Sequence, residues 1–316
     1  MQKIGFIFPG QGSQKLGMLS EIASKSGIIK STFAEASEVL GLDLWEASQT
    51  DERNVLNRTE VTQPALLAAS ISIWRVWQER TNIVPTVLAG HSLGEYSALV
   101  CAQSIEYSDA INLVHKRGKM MQAAVPEGDG KMAAILGLSP EEISNFCSAV
   151  AAESGTVSPA NFNSPAQTVI AGEAEPVKKV IDLCKSAGAK RALLLSVSVP
   201  SHCELMRSAA EEFEKELSSI NIRSPSIPVL QNVNGRKEES PEQIKNNLVK
   251  QLYSPVLWVD CVEGMCREGA SIFVECGPGK ILSGLVKRIE PTIKCYGSDG
   301  EEAIETILTE LAELAP

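Results

Sequence analysis

The chain has 316 residues, of which 44% are hydrophobic, so it can bury one large core or two smaller ones. Its formal net charge of −10 argues against nucleic acid or an anionic membrane surface as the principal partner. None of the eight cysteines forms a Cys-x-x-Cys pair, which favours free thiols over disulfides or a zinc site. The apolar start is too short for a signal peptide, and no run would span a membrane. We therefore expect a soluble, cytoplasmic protein.

The first part of the chain alternates strands and helices, as expected for a layered α/β fold. A strand is predicted over residues 4–8, followed by a turn at 9–14. The segment 64–79 is apolar on nearly all sides and predicts a deeply buried helix. A short strand over 86–89 comes next, and helices are predicted near 96–103 and over 107–124.

The pattern changes after a turn-rich break at residues 126–130. The elements predicted there are a strand over 131–138, a helix capped by Ser139, strands over 156–163 and 167–171, a helix over 175–187 and a strand over 192–199. The order strand–helix–strand–strand–helix–strand over about 70 residues is typical of a ferredoxin-like unit.

Helices and strands alternate again after Pro200. The predicted elements are a helix over 204–219, a strand over 228–232, helices over 241–251 and 256–267, a strand over 271–275, and helices over 280–288 and 303–313. We therefore expect an α/β-hydrolase-like domain formed by residues 1–126 and 198–316, with a ferredoxin-like subdomain at residues 127–197 inserted into it.

The sequence Gly90-His-Ser-Leu-Gly94 lies between a predicted strand and a predicted helix. Gly-x-Ser-x-Gly in that position is the pattern of a nucleophile elbow, a tight turn that projects the hydroxyl of Ser92 above the sheet. The helix N-terminus behind it would offer N–H groups to a developing oxyanion. A plain strand–turn–helix connection is the alternative.

A serine nucleophile needs a base, and the chain has only three histidines. His91 is adjacent to Ser92 and points elsewhere, so we expect it to shape the turn or to line the substrate pocket. His115 lies in the middle of a predicted helix, where packing or surface exposure is usual. His202 follows a strand and the Pro200-Ser201 corner, where catalytic groups collect. We predict His202 as the general base, with a buried structural histidine as the alternative.

An α/β-hydrolase would supply an acid between the serine and the histidine. Asp109, Asp129 and Asp182 lie in helix or turn contexts and not at strand ends. A backbone carbonyl or an amide could orient the imidazole instead. Such a pair is less basic than a triad, which suits transfer to a thiol or alcohol.

The turn Gly10-Gln-Gly-Ser-Gln14 also follows a strand. The next glycine, Gly17, has the wrong spacing for a dinucleotide-binding Gly-x-Gly-x-x-Gly motif. The turn could instead bring the backbone N–H of Gln11 close to the elbow. Together with the N–H of Leu93, the residue after the nucleophile, it would form an oxyanion hole.

Six motifs, spread in order over nearly the whole chain, resemble the malonyl-CoA:acyl-carrier-protein transacylases of bacterial type II fatty acid synthesis. They are Gly10-Gln-Gly-Ser-Gln14, Thr62-Gln-Pro-Ala65, Gly90-His-Ser-Leu-Gly-Glu-Tyr96, Arg117-Gly118, Val199-Pro-Ser-His202 and Glu275-Cys-Gly-Pro-Gly279. A whole set of ordered motifs is far more specific than the elbow alone.

The resemblance implies a ping-pong reaction between malonyl-CoA and acyl carrier protein. Ser92 would attack the malonyl thioester with His202 as base, and the phosphopantetheine thiol of the carrier would then accept the malonyl group. By motif position, Gln11 and Leu93 would supply the oxyanion N–H groups. The backbone carbonyl of Gln251 would orient His202. No metal or cofactor is implied, and we expect a monomer.

The resemblance also makes Arg117 a substrate-binding residue, because a guanidinium offers two parallel N–H donors to the free carboxylate of malonyl. The alternative is an ordinary arginine on a solvated helix face beside Lys116 and Lys119. Asn161 and Gln167, around the turn between two small-domain strands, could donate hydrogen bonds to the substrate from across the cleft.

An acidic enzyme that binds an acidic carrier protein needs a local basic surface. We hypothesise that the basic rim, formed by Lys190, Arg191, Lys287 and Arg288, contacts the carrier protein near the cleft. Ordinary solubilising charges are the alternative.

Other functions would use the same elbow. A thioesterase, an esterase or a patatin-like lipase is the nearest alternative, although Asp299-Gly300 followed by Glu301 fits the patatin Asp-Gly-Gly or Asp-Gly-Ala pattern poorly. A non-catalytic protein that binds the carrier is the second alternative. Within the transferases, the choice between malonyl and methylmalonyl stays open.

Overall fold

The computed structural model describes residues 3–195 and 199–313. The strands are β1 (Lys3–Phe8), β2 (Val87–Gly90), β3 (Gly130–Leu136), β4 (Val157–Ser164), β5 (Gln167–Glu173), β6 (Arg191–Leu194), β7 (Val229–Gln231), β8 (Arg236–Lys237), β9 (Ala270–Glu275) and β10 (Lys294–Gly297).

The helices connect these strands. They are α1 (Ser20–Lys25), α2 (Gly27–Leu40), α3 (Leu44–Gln49), α4 (Thr59–Arg80), α5 (Gly94–Cys101), α6 (Tyr107–Ala123), α7 (Pro140–Ser154), α8 (Ala174–Ser186), α9 (Arg207–Ser218), α10 (Pro241–Gln251), α11 (Trp258–Arg267), α12 (Ile281–Ile289) and α13 (Glu301–Glu313), with a 3-10 turn at Glu204–Met206 before α9.

The larger sheet has the strand order β10-β9-β1-β2-β7-β8. Its first five strands are parallel and only β8 is antiparallel to its neighbour. The register pairs Phe8 with Gly90 and Ile7 with Glu275, so β1, β2 and β9 end at one edge. The loops that follow these strands therefore meet at that edge, where ligands bind in open α/β sheets.

Helix α4 packs against the larger sheet and is buried along most of its length, as its sequence predicts. Phe6 of β1 contacts Trp74 and Trp77 edge-on, with ring centroids 5.5 and 5.0 Å apart. The helix begins at Thr59, five residues before the predicted start. Pro64, the first residue of the predicted helix, therefore lies inside the observed one, where it has no backbone N–H to donate.

The smaller sheet is antiparallel and has the order β4-β5-β3-β6. Its elements follow the predicted order, and α7 and α8 share one hydrophobic core with its strands. Ser139 caps α7 in a capping box with Glu142, as the sequence predicts for this N-terminus. The predicted strand over 192–199 is described only as β6. Residues 196–198, which include the predicted boundary between 197 and 198, lie outside the described residues.

Backbone hydrogen bonds join β4 to Val256, which lies in the segment between α10 and α11. Phe162 N–H donates to the carbonyl of Val256 at 2.9 Å, and Val256 N–H donates to the carbonyl of Ala160 at 2.9 Å. This bridge explains why α11 begins at Trp258 and not at the predicted residue 256, because Val256 is extended. It also fixes β4 as one wall of the cleft between the sheets.

Two short strands were not predicted from the sequence. Both β8, with two residues, and β10, at the edge of the larger sheet, lack an apolar run long enough to predict a strand. Within the described part of the chain, no helix combines the length and the apolar character needed to cross a membrane.

Candidate active site

Ser92 lies in a sharp turn between β2 and α5. Its φ of +53° is in the left-handed region, which is strained for a residue with a side chain. A Cβ on Gly90 would lie 1.8 Å from the carbonyl carbon of Gly94, and one on Gly94 would lie 2.0 Å from the Phe8 oxygen. The turn therefore requires glycine on both sides of Ser92, which is the elbow geometry that the sequence predicts.

The hydroxyl of Ser92 faces the imidazole of His202. The Oγ–Nε2 distance is 2.8 Å, and Nδ1 of His202 lies 2.7 Å from the backbone oxygen of Gln251. Because a carbonyl can only accept, Nδ1 carries the proton, and Nε2 is left as the acceptor for the serine hydroxyl. The geometry therefore joins Ser92, His202 and Gln251 in the order expected for a nucleophile, a base and its orienting group.

Burial lowers the pKa of His202 to about 3, and the nearby positive charge of Arg117 contributes in the same direction. The imidazole is only 3% exposed. It is therefore neutral at neutral pH, the state in which Nε2 can accept a proton.

Arg117 lies on α6 and is 1% exposed, so the alternative of a solvated helix face is wrong. Its Nη1 donates to Oε1 of Gln63 and its Nη2 to Oε1 of Gln251, both at 2.9 Å. Nη2 is also 3.4 Å from Oγ of Ser92. Burial lowers the pKa of the guanidinium.

All the hydrogen-bond partners of this guanidinium are neutral. Arg117 forms no ion pair with a carboxylate of the described residues. The buried Glu95 carboxylate, whose pKa burial raises to about 7, interacts with it electrostatically without bonding to it. A buried cation without a directly bonded counter-charge is costly. An anionic group next to Ser92 would supply that counter-charge. The site thus combines a nucleophile with a buried cation one hydrogen-bond length away.

A cavity of about 190 Å³ opens above these groups. On the side of the larger sheet, the cavity lining consists of Ser92, His202, Arg117 and apolar side chains of α12 such as Leu285. The smaller sheet adds Met132, Val169, Asn161 and Asn163. The lining is therefore apolar with a few convergent polar groups, as is usual for small-molecule sites.

Gln11 and Leu93 both line this cavity. Among the described residues, neither backbone N–H has a hydrogen-bond partner. Gln11 follows β1 and Leu93 follows Ser92, so the two donors come from neighbouring strand ends. Free N–H groups in these positions can stabilise an oxyanion.

Of the three remaining predicted substrate-binding residues, two line the cavity and one lies outside its described lining. His91 lines the cavity, with Nε2 2.8 Å from Oδ1 of Asn163 and its ring edge-on to Trp258. Asn161 lines the opposite wall. Gln167 does not belong to the described cavity lining. It begins β5, and its Oε1 accepts a hydrogen bond from Nη1 of Arg288 at 2.8 Å, so its contact is with α12.

The sequence reasoning missed two residues behind the elbow, Asn232 and Glu95. Oδ1 of Asn232 accepts from Ser92 N–H, and its Nδ2 donates to the carbonyl of Gly90, both at 2.7 Å. One amide thus ties both sides of the strained turn together. The available signal was its position directly after β7, the strand next to β2 in the parallel sheet.

The four residues of the basic rim are exposed. Arg191 and Gln167 both pair with Leu136, from opposite sides of β3, and Arg288 bonds to Gln167. Arg191 and Arg288 therefore lie at the same end of the smaller sheet. Helix α12, which carries Lys287 and Arg288, also lines the cavity.

The comparisons with known proteins cover nearly the whole chain. A family model described as an acyl transferase domain matches residues 5–295. The malonyl CoA-acyl carrier protein transacylase of Escherichia coli K12 is 52% identical over 98% of this chain and 99% of its own length. That of Haemophilus influenzae is 53% identical over 92% of this chain and 93% of its own length.

Solved structures agree with these relatives. An acyl carrier protein S-malonyltransferase from Vibrio cholerae is 52% identical, with a TM-score of 0.94, and the match covers 96% of this chain and 99% of that one. A malonyl-transacylase in complex with its type II PKS acyl-carrier protein is 51% identical, with a TM-score of 0.95, covering 98% of this chain and 99% of that one.

Proposed function

Because the chain belongs to the acyl transferase family and, within it, to the malonyl CoA-acyl carrier protein transacylases, we propose that it transfers malonyl groups in two steps through an ester on Ser92. The donor is malonyl-CoA, the acceptor is the phosphopantetheine thiol of acyl carrier protein, and the product supplies fatty acid synthesis. The observation that carries this proposal is the 2.8 Å contact between Ser92 and His202 beside a buried Arg117 without an ion pair.

In the first step, Oγ of Ser92 attacks the thioester carbonyl and its proton passes to Nε2 of His202. The carbonyl oxygen becomes an oxyanion that accepts hydrogen bonds from the N–H groups of Gln11 and Leu93. When the C–S bond breaks, the proton on Nε2 passes to the leaving CoA sulfur. Malonyl remains on Ser92 as an ester.

In the second step, the carrier thiol gives its proton to Nε2 and its sulfur attacks the ester carbonyl. The C–O bond to Ser92 breaks, and Oγ regains the proton from His202. The carbonyl of Gln251 stabilises the imidazolium in both steps, since it accepts a hydrogen bond from Nδ1–H throughout. Atoms and charges balance without a metal or a cofactor.

Arg117 would select the acyl group. The free carboxylate of malonyl can accept two hydrogen bonds from the guanidinium, whereas acetyl has no group for it. His91 and Asn161 would line the acyl site, whereas Gln167 is not proposed as a substrate ligand, because its side chain bonds to Arg288.

We interpret residues 127–197 as a ferredoxin-like subdomain inserted into an α/β-hydrolase-like domain of residues 1–126 and 198–316. The strand order β4-β5-β3-β6 in a strand–helix–strand–strand–helix–strand unit supports the first assignment. The elbow at the carboxyl edge of a parallel sheet supports the second.

We further propose that the protein acts as a cytoplasmic monomer and that the basic rim binds the acidic carrier. Lys190, Arg191, Lys287 and Arg288 form no ion pairs with the described carboxylates, so their charges are free for a partner. Sedimentation with and without carrier protein tests the stoichiometry.

The test of function is acyl-enzyme trapping. Radiolabelled malonyl-CoA should label the wild type, and Ser92→Ala should abolish the label. Acetyl-CoA should label the wild type far more slowly, and Arg117→Ala should lose this preference while still accepting acetyl. Equal labelling of the wild type by both donors would refute the role of Arg117, and a labelled Ser92→Ala variant would refute the proposed nucleophile.

A further inference from the structure

We propose that Glu95 is a positioning residue for malonyl selection, because one of its carboxylate oxygens holds the Gln251 amide in the orientation that presents a carbonyl oxygen to Arg117. The proposal rests on the proposed function of Arg117 as the ligand of the malonyl carboxylate. It gives the side chain of Gln251 a role separate from that of its backbone carbonyl.

The Glu95 carboxylate accepts its hydrogen bonds from amides. This residue lies in the first turn of α5 and is 1% exposed. Its Oε2 accepts from Nε2 of Gln251 at 2.8 Å and from the backbone N–H of Asn232 at 3.0 Å. A buried carboxylate is costly unless its hydrogen bonds are made, so this side chain must satisfy a specific need.

What requires this carboxylate is the orientation of the Gln251 amide, whose oxygen contacts Arg117. Oε1 of Gln251 accepts from Nη2 of Arg117 at 2.9 Å, while Nε2 also donates to the backbone oxygen of Ser92 at 3.1 Å. A flipped amide would place its NH₂ group against the guanidinium and its oxygen against the carboxylate. Both contacts would be repulsive, so an acceptor at Glu95 fixes one orientation.

The same oxygen also supports the elbow. By accepting the Asn232 N–H, Glu95 fixes the segment whose side chain holds Ser92 N–H and the Gly90 carbonyl. Glu95 therefore supports two chains of hydrogen bonds, which we call its two arms. The first arm runs through Gln251 to Arg117, and the second runs through Asn232 to Ser92. Only the first arm bears on the choice between malonyl and acetyl.

The role requires an acceptor and not a charge. Burial raises the pKa of Glu95 to about 7, so both protonation states are populated near neutral pH. Its Oε1 has no hydrogen-bond partner among the described residues and can carry the proton. Oε2 accepts in either state, and a glutamine oxygen could replace it.

The test measures the ratio of acylation rate constants for malonyl-CoA and acetyl-CoA in rapid-quench single turnovers. Glu95→Gln should keep the ratio within about threefold of the wild type, and Glu95→Leu should lower it about tenfold or more, the usual effect of losing a buried hydrogen bond that involves a charged group. Asn232→Ala is the matched control for the other arm: it should slow both donors and leave the ratio unchanged.

Thermal melts establish that each variant is folded. If Glu95→Leu does not fold, Gln251→Met removes the amide but keeps the backbone carbonyl, and it should lower the ratio equally. A folded Glu95→Leu or Gln251→Met with the wild-type ratio would overturn the proposal, as would a Glu95→Gln ratio as low as that of Glu95→Leu. Arg117→Ala separates the two claims: if it keeps the malonyl preference, the proposed function has failed and not only the role of Glu95.

Discussion

The two walls of the cavity are built differently. On the side of the larger sheet, Ser92, His202, Gln251 and Arg117 contact one another through hydrogen bonds, and the last three are nearly fully buried. On the side of the smaller sheet, Asn161 accompanies apolar side chains and makes no side-chain hydrogen bond with these four residues. The chemistry therefore depends on one wall, and the other shapes the space and the entrance.

Topology explains this difference. Parallel strands bring several loops to one edge, so residues far apart in the chain can form one connected set. The smaller sheet lines the cavity with side chains of β3, β4 and β5, and β4 is tied by the bridge to Val256, in the segment before α11. A substitution in the first wall should therefore change the rate constant of the chemical step, and one in the second should act mainly on binding.

The largest effect is expected for His202→Ala, which removes the base. The acylation rate constant for malonyl-CoA should fall by about 10²–10⁴-fold, the usual contribution of a general base. Rapid-quench single turnovers measure it. His115→Ala is the control, since this half-buried histidine on α6 bonds to the Glu60 backbone oxygen, and its loss should leave the rate within about threefold. Similar losses in both variants would contradict the assignment.

An intermediate effect is expected at the basic rim. Charge reversal at both Lys287 and Arg288 should raise the KM for carrier protein about tenfold or more at low salt, while labelling by malonyl-CoA stays unchanged. Steady-state transfer at several salt concentrations measures this. Lys185→Glu on α8, an exposed lysine outside the rim, is the control. An unchanged KM in the rim variant would rule out the rim as the docking surface.

A smaller effect is expected on the second wall. Asn161→Ala should reduce kcat/KM for malonyl-CoA by less than about tenfold, mainly through KM, because one neutral hydrogen bond to substrate is lost. A loss as large as that of His202→Ala would contradict the claim that the second wall acts mainly on binding. Gln167→Ala, whose side chain contacts Arg288, should leave the malonyl-CoA kinetics unchanged.

The smallest effect is a shift in the pH profile. Burial and the charge of Arg117 hold the pKa of His202 at about 3, so acylation by acetyl-CoA should show no fall near pH 6.5. Arg117→Ala removes the repulsion, the pKa rises, and the rate should begin to fall at a higher pH than in the parent. Since the pKa of Glu95 is about 7, both proteins are measured in the Glu95→Gln background.

This comparison is made between pH 5 and pH 8, because stability sets a limit at low pH. Unfolded histidine binds a proton below about pH 6.5. The stability that neutral, buried His202 contributes is therefore present above that pH and is lost as the pH falls toward 3. A fall in rate near pH 6.5 in the parent would contradict the electrostatic account.

Much of the site can be predicted from the sequence because its parts are short local patterns. The elbow requires Gly90 and Gly94 within five residues, and His202 is the histidine that follows the Pro200-Ser201 corner. Asn232 and Glu95 were missed because their partners are Ser92 and Gln251, which tertiary structure alone brings to them. Similarly, the contact of Gln167 with Arg288 could not be predicted, because the register of β5 and the position of α12, which the sequence does not reveal, decide its partner.

The central claim is that Ser92 carries malonyl between two thiols and does not deliver it to water. The most direct measurement follows the isolated malonyl-enzyme over time, in buffer alone and with holo carrier protein. The account predicts an ester that persists in buffer and transfers to the carrier thiol within the turnover time of the enzyme. Equally fast release of free malonate without carrier protein would contradict it and would identify the site as that of a hydrolase.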